Sequence, residues 1–408
     1  MGRRVLVVSY YFPPAGGGGV QRVLKWVKYL PELGWEVMVV CADNKGVVPD
    51  PALAAELPRE VRVVRVAGPG GAVAGAGGHS GIVQRLRPLA FPDTQAAWWP
   101  RAVPALRALA RAWGPGVVLA SGPPFSVFVP ALAAARAGGC PLVIDFRDEW
   151  RGFYAAGYNP LAAGALRRAM VGALERAVVR QAGRVVVASP AYSRRLRRLY
   201  GGPRGKYVWI PNGYDPPDFP DPPPPAPRWE GRIVISYVGT VFEVTSLEYL
   251  LRGLGLLGRE VLRRLELRVV GRVVDRRFIS PLPEGLRLRL VGPLEHPRAV
   301  AQMLSAHVLV LTLAPMPGAE RVIPAKTYEY LAARRPVLGV LPPGECAKII
   351  ATLKAGEVLH PLNPWQIAAA VGRWLVNPPP PPPPPPPGFS RPRLAHRLSR
   401  VLEQLVEA

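Results

Sequence analysis

Short runs of almost uninterrupted apolar residues recur along this chain, each followed by a glycine- or proline-bearing loop and an amphipathic stretch. The first series is Arg4–Tyr10, Val37–Cys41, Val61–Val66, Val117–Ala120, Leu142–Phe146, Val185–Ala188 and Val208–Ile210. A second series follows at Ile233–Val238, Leu267–Val270, Leu286–Leu290, Val308–Leu311 and Val337–Val340. Strands that read as continuous apolar runs are buried on both faces, which is the condition of a parallel sheet covered by helices. Between the first two runs, apolar residues at 20, 23, 24, 27 and 30 keep helical spacing, with Arg22, Lys25 and Lys28 on another face. Strand, glycine loop, helix and strand make a βαβ unit. Repeated twice over, the pattern predicts two Rossmann-like, doubly wound α/β domains.

The chain has 408 residues, enough for two ordinary domains. Residues 215–229, DPPDFPDPPPPAPRW, read as a stiff proline linker between an N-terminal domain over 1–214 and a C-terminal domain over 230–377. Ten consecutive prolines at 378–387 form a second extended spacer, about 30 Å long at ~3.1 Å per residue. Residues 388–408 end the chain in a helix with Leu394, Leu398, Val401 and Leu405 on one face, expected to dock on the first domain. The Gly/Ala-rich stretch 67–81 is expected to be a mobile loop.

Apolar content of 49% and charged content of 20% point to packed domains rather than disorder. No apolar run reaches the ~18 residues that a membrane-spanning helix needs, and the N-terminus lacks a small-residue cleavage site. Three widely spaced cysteines without a CxxC pair argue for a reducing compartment, so the expected location is the cytoplasm. The net charge is +24. It favours polyanionic partners: an anionic membrane surface, nucleic acid or phosphorylated ligands. Residues 1–220 hold 28 Lys+Arg against 13 Asp+Glu, and the remainder 24 against 15. Arginine far outnumbers lysine and Ala, Gly and Pro abound, so coding bias accounts for part of the excess. No aromatic–basic interleaving or nucleic-acid motif is present, and nucleic acid is not the expected partner.

Six segments are candidates for chemistry. In VIPAKTYEYLAARRPVL, residues 322–338, Lys326 and Glu329 share one face of a helix expected to start just after Pro324. Unpaired backbone N–H groups there suit an anion, Lys326 adds a positive charge, and Glu329 offers two oxygens to a pair of vicinal hydroxyls. Diphosphate plus ribose fits this spacing; a solvated Lys–Glu pair is the plain alternative. FPPAGGGG, residues 12–19, lets the backbone approach a ligand at a helix N-terminus, although GxGxxG does not fit. A flexible loop, or a dinucleotide site with Asp43 on the ribose, are its other readings. DFRDEW, residues 145–150, sits where open α/β sheets place ligands, with Arg147 for an anionic oxygen and Asp145 or Asp148 for hydroxyls. A self-satisfying ion cluster is the alternative. WIPNGYD, 209–215, reads as a structural turn. Gly239-Thr240 ends a strand with room for a phosphate, whereas His296 in VGPLEHP reads as loop structure. The histidines are scattered and no Asp-x-Asp pair is present, so no metal site is expected.

These pieces together resemble the two-domain GT-B glycosyltransferases of family 4, over nearly the whole chain. The matching segments are YYFPPAGGGGVQRVLKWVKYLPELGWEV, SGPPFS with DFRDEW, IPNGYD, YVGT, VGPLEH and VIPAKTYEYLAARRPVLGV. The resemblance implies two domains facing across a cleft that holds a nucleotide diphospho-sugar, with no bound cofactor and no metal. Donor-binding residues would be Gly17, Gly18, Gly239, Thr240, Arg321, Ile323, Pro324, Lys326 and Glu329. Arg147, Asp148 and Lys326 would serve the chemistry, and Gly16 and Asp145 the sugar or acceptor side. Arg321 stands where the family often has a glutamate, Thr240 where it usually has a basic residue, and Arg147 where it often has a histidine. The implied activity is retaining sugar transfer to a hydroxyl acceptor such as a lipid-linked glycan or polysaccharide precursor. A nucleotide-sugar epimerase on the same fold and a non-catalytic basic binding protein are the other expectations.

Overall fold

The computed structural model describes residues 2–43, 49–68, 91–155 and 164–407. The Gly/Ala-rich stretch lies outside the described residues from 69 onward. Two compact units are formed, one by Met1–Asn212 with Arg391–Ala408, the other by Gly213–Ser390.

The first unit contains β1 (Arg4–Ser9), β2 (Glu36–Asp43), β3 (Arg62–Ala67), β4 (Val117–Gly122), β5 (Leu142–Phe146), β6 (Arg184–Val187) and β7 (Tyr207–Trp209). They pair in the order β3-β2-β1-β4-β5-β6-β7, every pair parallel. The second unit contains β8 (Ile233–Val238), β9 (Leu265–Val270), β10 (Arg287–Gly292), β11 (Val308–Thr312), β12 (Val337–Val340) and β13 (Gly356–Leu359). Their order is β10-β9-β8-β11-β12-β13, again all parallel. Each sheet is therefore doubly wound. The strand order reverses between β1 and β4 in one unit and between β8 and β11 in the other. Crevices at the carboxyl ends of such reversal points are where open α/β sheets bind ligands.

Each face of the first sheet has its own core. One face packs Trp98, Leu106, Phe125, Phe128 and Trp150. The other packs Val23, Leu24, Trp26 and Val27 of helix Gly18–Tyr29 with Leu394, Leu398 and Leu402 of helix Arg391–Val406. Trp35 Nε1 donates to Ser399 Oγ at 2.9 Å, and Arg3 pairs with Glu403 at 3.1 Å. Helix Arg391–Val406 thus belongs to the first unit.

The polar face expected of helix Gly18–Tyr29 is not a solvent face. Arg22 and Lys25 are buried, and Arg22 meets Asp145 of β5 with Nη2 2.8 Å from Oδ1 and Nε 3.0 Å from Oδ2. Ser121 Oγ of β4 donates to Asp145 Oδ2 at 2.7 Å. The same guanidinium donates to the carbonyls of Ile210 (2.8 Å) and Pro211 (2.7 Å) and lies 4.4 Å from the Trp26 ring centroid. One buried arginine joins the first helix to β4, β5 and the segment after β7. This corrects the expectation for Asp145: its oxygens are taken up inside the fold, so it is not a sugar or acceptor ligand.

The proline segment is held to the second unit by hydrogen bonds to its carbonyls. Buried Arg335 donates to Pro224 O at 3.0 Å and Leu304 O at 2.8 Å. His307 Nδ1 accepts from Val234 N at 3.0 Å, which makes Nε2 the hydrogen-bearing nitrogen facing Arg228 O at 2.9 Å. Burial holds this imidazole below the usual histidine range, consistent with the neutral tautomer.

Removing one partner of a buried, hydrogen-bonded ion pair leaves an uncompensated charge and costs ~3–5 kcal/mol. Arg22→Met and Asp145→Leu should each lower the unfolding midpoint of the full chain sharply in a guanidinium titration. The double substitution should recover most of the loss. Additive losses in the double variant would show that the pair is not the unit of stability.

Candidate nucleotide site in the second unit

Helix Lys326–Ala333 follows β11 and is pinned to the end of β8. Tyr330 is fully buried, and its hydroxyl accepts from Val238 N at 2.8 Å. On the same strand, Tyr237 OH donates to Thr240 O at 2.8 Å, as does Thr245 Oγ1. These bonds fix the turn after β8 and the helix beside it as one piece.

Lys326 crosses that turn. Its Nζ lies 3.7 Å from the centroid of the Tyr237 ring, and no carboxylate among the described residues is within ion-pair distance. Gly239 has φ 135°, and a Cβ there would stand 2.6 Å from Lys326 Nζ, so only glycine leaves the ammonium this place. Gly271, at the end of β9 with φ 131°, backs directly onto the Gly239 carbonyl, where a side chain would collide. Burial pushes the Lys326 ammonium down to about 7, against the opposing pull of Glu329. The site therefore offers a lysine whose charge is incompletely compensated, a condition that an anionic ligand relieves.

Glu329, one helical turn on, takes a hydrogen bond from a residue read in sequence as loop structure. His296 opens helix His296–Leu304 beyond β10, and its Nε2 lies 2.9 Å from Glu329 Oε1. Its Nδ1 lies 3.8 Å from Asp218 Oδ2 in the turn Pro216–Asp218.

The other sequence-predicted residues of this unit divide. Gly239 lies in contact with Lys326, and Ile323 and Pro324 lead into the helix, with Thr327 N bonded to Pro324 O at 3.0 Å. The Thr240 side chain is exposed and only its carbonyl is used, in the turn. Arg321 pairs with its neighbour Glu320, which also accepts from Gly318 N at 3.0 Å. In the first unit, Gly17 precedes helix Gly18–Tyr29 with φ 113°, after Gly16. Arg147 donates to the carbonyls of Gly19 and Pro123, bracing the first turn of that helix. Asp148 is exposed at the carboxyl end of β5.

Residues 17–213 match the model of a glycosyl transferase 4-like domain. No curated protein matches the sequence. Among solved structures, the chain is similar to Anabaena Alr3699/HepE in complex with UDP-glucose. The two share 14% identity over 99% of this chain and 98% of that one, with a TM-score of 0.60. It is also similar to WaaG, a glycosyltransferase involved in lipopolysaccharide biosynthesis, at 16% identity, 98% and 97% coverage and TM-score 0.62. A glycosyltransferase from Rickettsia africae matches at 12% identity, 100% and 99% coverage and TM-score 0.60. The two doubly wound sheets and these neighbours define a two-domain, Rossmann-like GT-B fold.

A lysine with a pKa of about 7 is roughly nine-tenths neutral one unit higher. If a diphosphate restores its charge, nucleotide binding at pH 8 takes up close to one proton, and affinity falls as pH rises above 7. Calorimetry of UDP binding in buffers of different ionisation enthalpy should show this uptake in the wild type and lose it in Lys326→Met. Equal proton uptake in both proteins would remove Lys326 from the anion site.

Proposed function

We propose that the chain is a GT-B, family 4-like glycosyltransferase that moves a sugar from a nucleotide diphospho-sugar to a hydroxyl acceptor with retention and without a metal. The observation that carries this reading is the Lys326–Gly239–Glu329 arrangement at the strand-order reversal of the second unit. A diphosphate at Lys326 and the start of its helix gains compensation as the glycosidic bond breaks and charge builds on the leaving oxygen. Glu329, one turn away, accepts from the ribose hydroxyls. In a front-face retaining path the departing phosphate oxygen takes the acceptor proton, so no separate protein base is required. Arg147 sets the glycine segment of the first unit, and exposed Asp148 is available to acceptor hydroxyls. The domain match and the UDP-sugar complex of a fold neighbour support the same class of donor.

The acceptor we favour is lipid-linked or a polysaccharide precursor, met at the cytoplasmic face of an anionic membrane. No helix among the described residues is long and apolar enough to cross a membrane. Residues 164–209 contain eleven Lys+Arg and a single carboxylate, Glu175. That carboxylate is fully buried, accepts from Tyr200 OH at 2.9 Å and Arg151 N at 3.0 Å, and is pushed up to about 7 by burial. Helices Ala165–Gln181 and Pro190–Tyr200 carry the exposed residues Arg168, Arg176, Arg180, Arg194, Arg197 and Arg198. Leu166, 75% exposed, and Met170, 45% exposed, lie one turn apart on the first of these helices. Cationic side chains near an anionic bilayer contribute about 1 kcal/mol each.

Two experiments test these readings. With a panel of UDP- and GDP-sugars, Lys326→Ala should lower turnover by about 10²-fold or more, and Glu329→Ala should weaken nucleotide binding several-fold. Donor converted by the protein alone, followed by NMR, would instead establish an epimerase. Vesicles containing phosphatidylglycerol should sediment the protein at low salt and release it at high salt, with weaker binding for Leu166→Asp/Met170→Asp. Equal binding to neutral vesicles would reject the membrane surface.

A further inference from the structure

Among the described residues, Glu329 is bonded through only one of its two carboxylate oxygens. Oε1 faces His296 Nε2 at 2.9 Å, and no described residue bonds Oε2. Because a carboxylate only accepts, the hydrogen in this contact belongs to Nε2. The residue is 8% exposed and held at the first position of its helix, with Pro297 next in the chain. On its far side, Nδ1 stands 3.8 Å from Asp218 Oδ2. The imidazole is thus placed between two carboxylates from separate segments of the same unit. A histidine that served only to fill space would not need a nitrogen aimed at the candidate ligand-binding carboxylate.

We infer that His296 is a positioning residue for recognition of a vicinal diol, acting through Glu329. By occupying Oε1 it fixes the plane of the carboxylate and leaves Oε2 for the two hydroxyls of a ribose. A carboxylate on a three-bond tether otherwise samples several rotamers, and ordering it at the moment of binding costs affinity. The inference rests on the reading of Glu329 as the ribose-binding group. It adds that discrimination for the diol depends on a residue 33 positions earlier in the chain.

The test compares UDP with 2′,3′-dideoxy-UDP by calorimetry on the full chain. Wild type should prefer UDP by about 10-fold or more, the size expected for a charge-assisted hydrogen bond. In His296→Ala the preference should shrink to about 3-fold or less, with dideoxy-UDP affinity changed by under about 2-fold. His296→Gln, which keeps an N–H donor of similar reach, should restore it. His296→Met, close in bulk, serves as the donor-free variant should the alanine protein fail to fold. Undiminished preference in the donor-free variant, or an equal loss of affinity for both nucleotides, overturns the assignment. Wild-type protein that binds both nucleotides equally overturns the role of Glu329 itself, a different outcome from the first.

Discussion

Every strand in both sheets runs parallel to its neighbours, and the candidate chemistry depends on that constraint. A parallel sheet needs a crossover for every strand, so all loops leaving strand ends emerge along one edge. In the second unit this gathers the turn after β8, the glycine after β9, the helix start beyond β10 and the helix beyond β11. Residues as distant as Gly239, His296, Lys326 and Glu329 thereby enter one neighbourhood. The chemistry is local once the topology has been set. Tyr330 seats the helix, Tyr237 and Gly239 seat the lysine, and His296 seats the glutamate.

The first unit uses its charges differently. Arg22 and Asp145 are fully desolvated and surrounded by further hydrogen bonds, the condition under which a buried ion pair is tolerable. Its geometry links the first helix to the segment Ile210–Asn212, where this unit gives way to the next. Arg147, two residues beyond Asp145, reaches the carbonyls of Gly19 and Pro123 instead. One short acidic–basic segment therefore supplies both an internal brace and a support for the glycine-rich turn.

The fold class was legible because strands buried on both faces are written as plain apolar runs. β13 escaped that reading: Gly356–Leu359 is a half-buried edge strand, begins with glycine and carries Glu357. The helix beyond β1 was legible as a helix, but its arginine was read with its lysines. Nothing local marks Arg22 as buried, since its partner lies 123 residues away. Lys326 and Glu329 announced themselves by being one turn apart behind a proline. His296 did not, because a lone histidine in VGPLEHP reads as loop structure, and nothing local tells which way its ring turns. Asp145 and Arg147 looked alike in sequence, and only the three-dimensional contacts separate an interior ion pair from a loop brace.

The central claim is that a nucleoside diphosphate is held by the second unit at the ends of β8, β9, β10 and β11. Photolabelling of the full chain with 5-azido-UDP, followed by peptide mapping, addresses it most directly. The account predicts covalent label within peptides spanning 238–246, 270–276, 292–298 or 318–330, protected by excess UDP. Protectable label confined to Met1–Asn212, or none that UDP displaces, would contradict it.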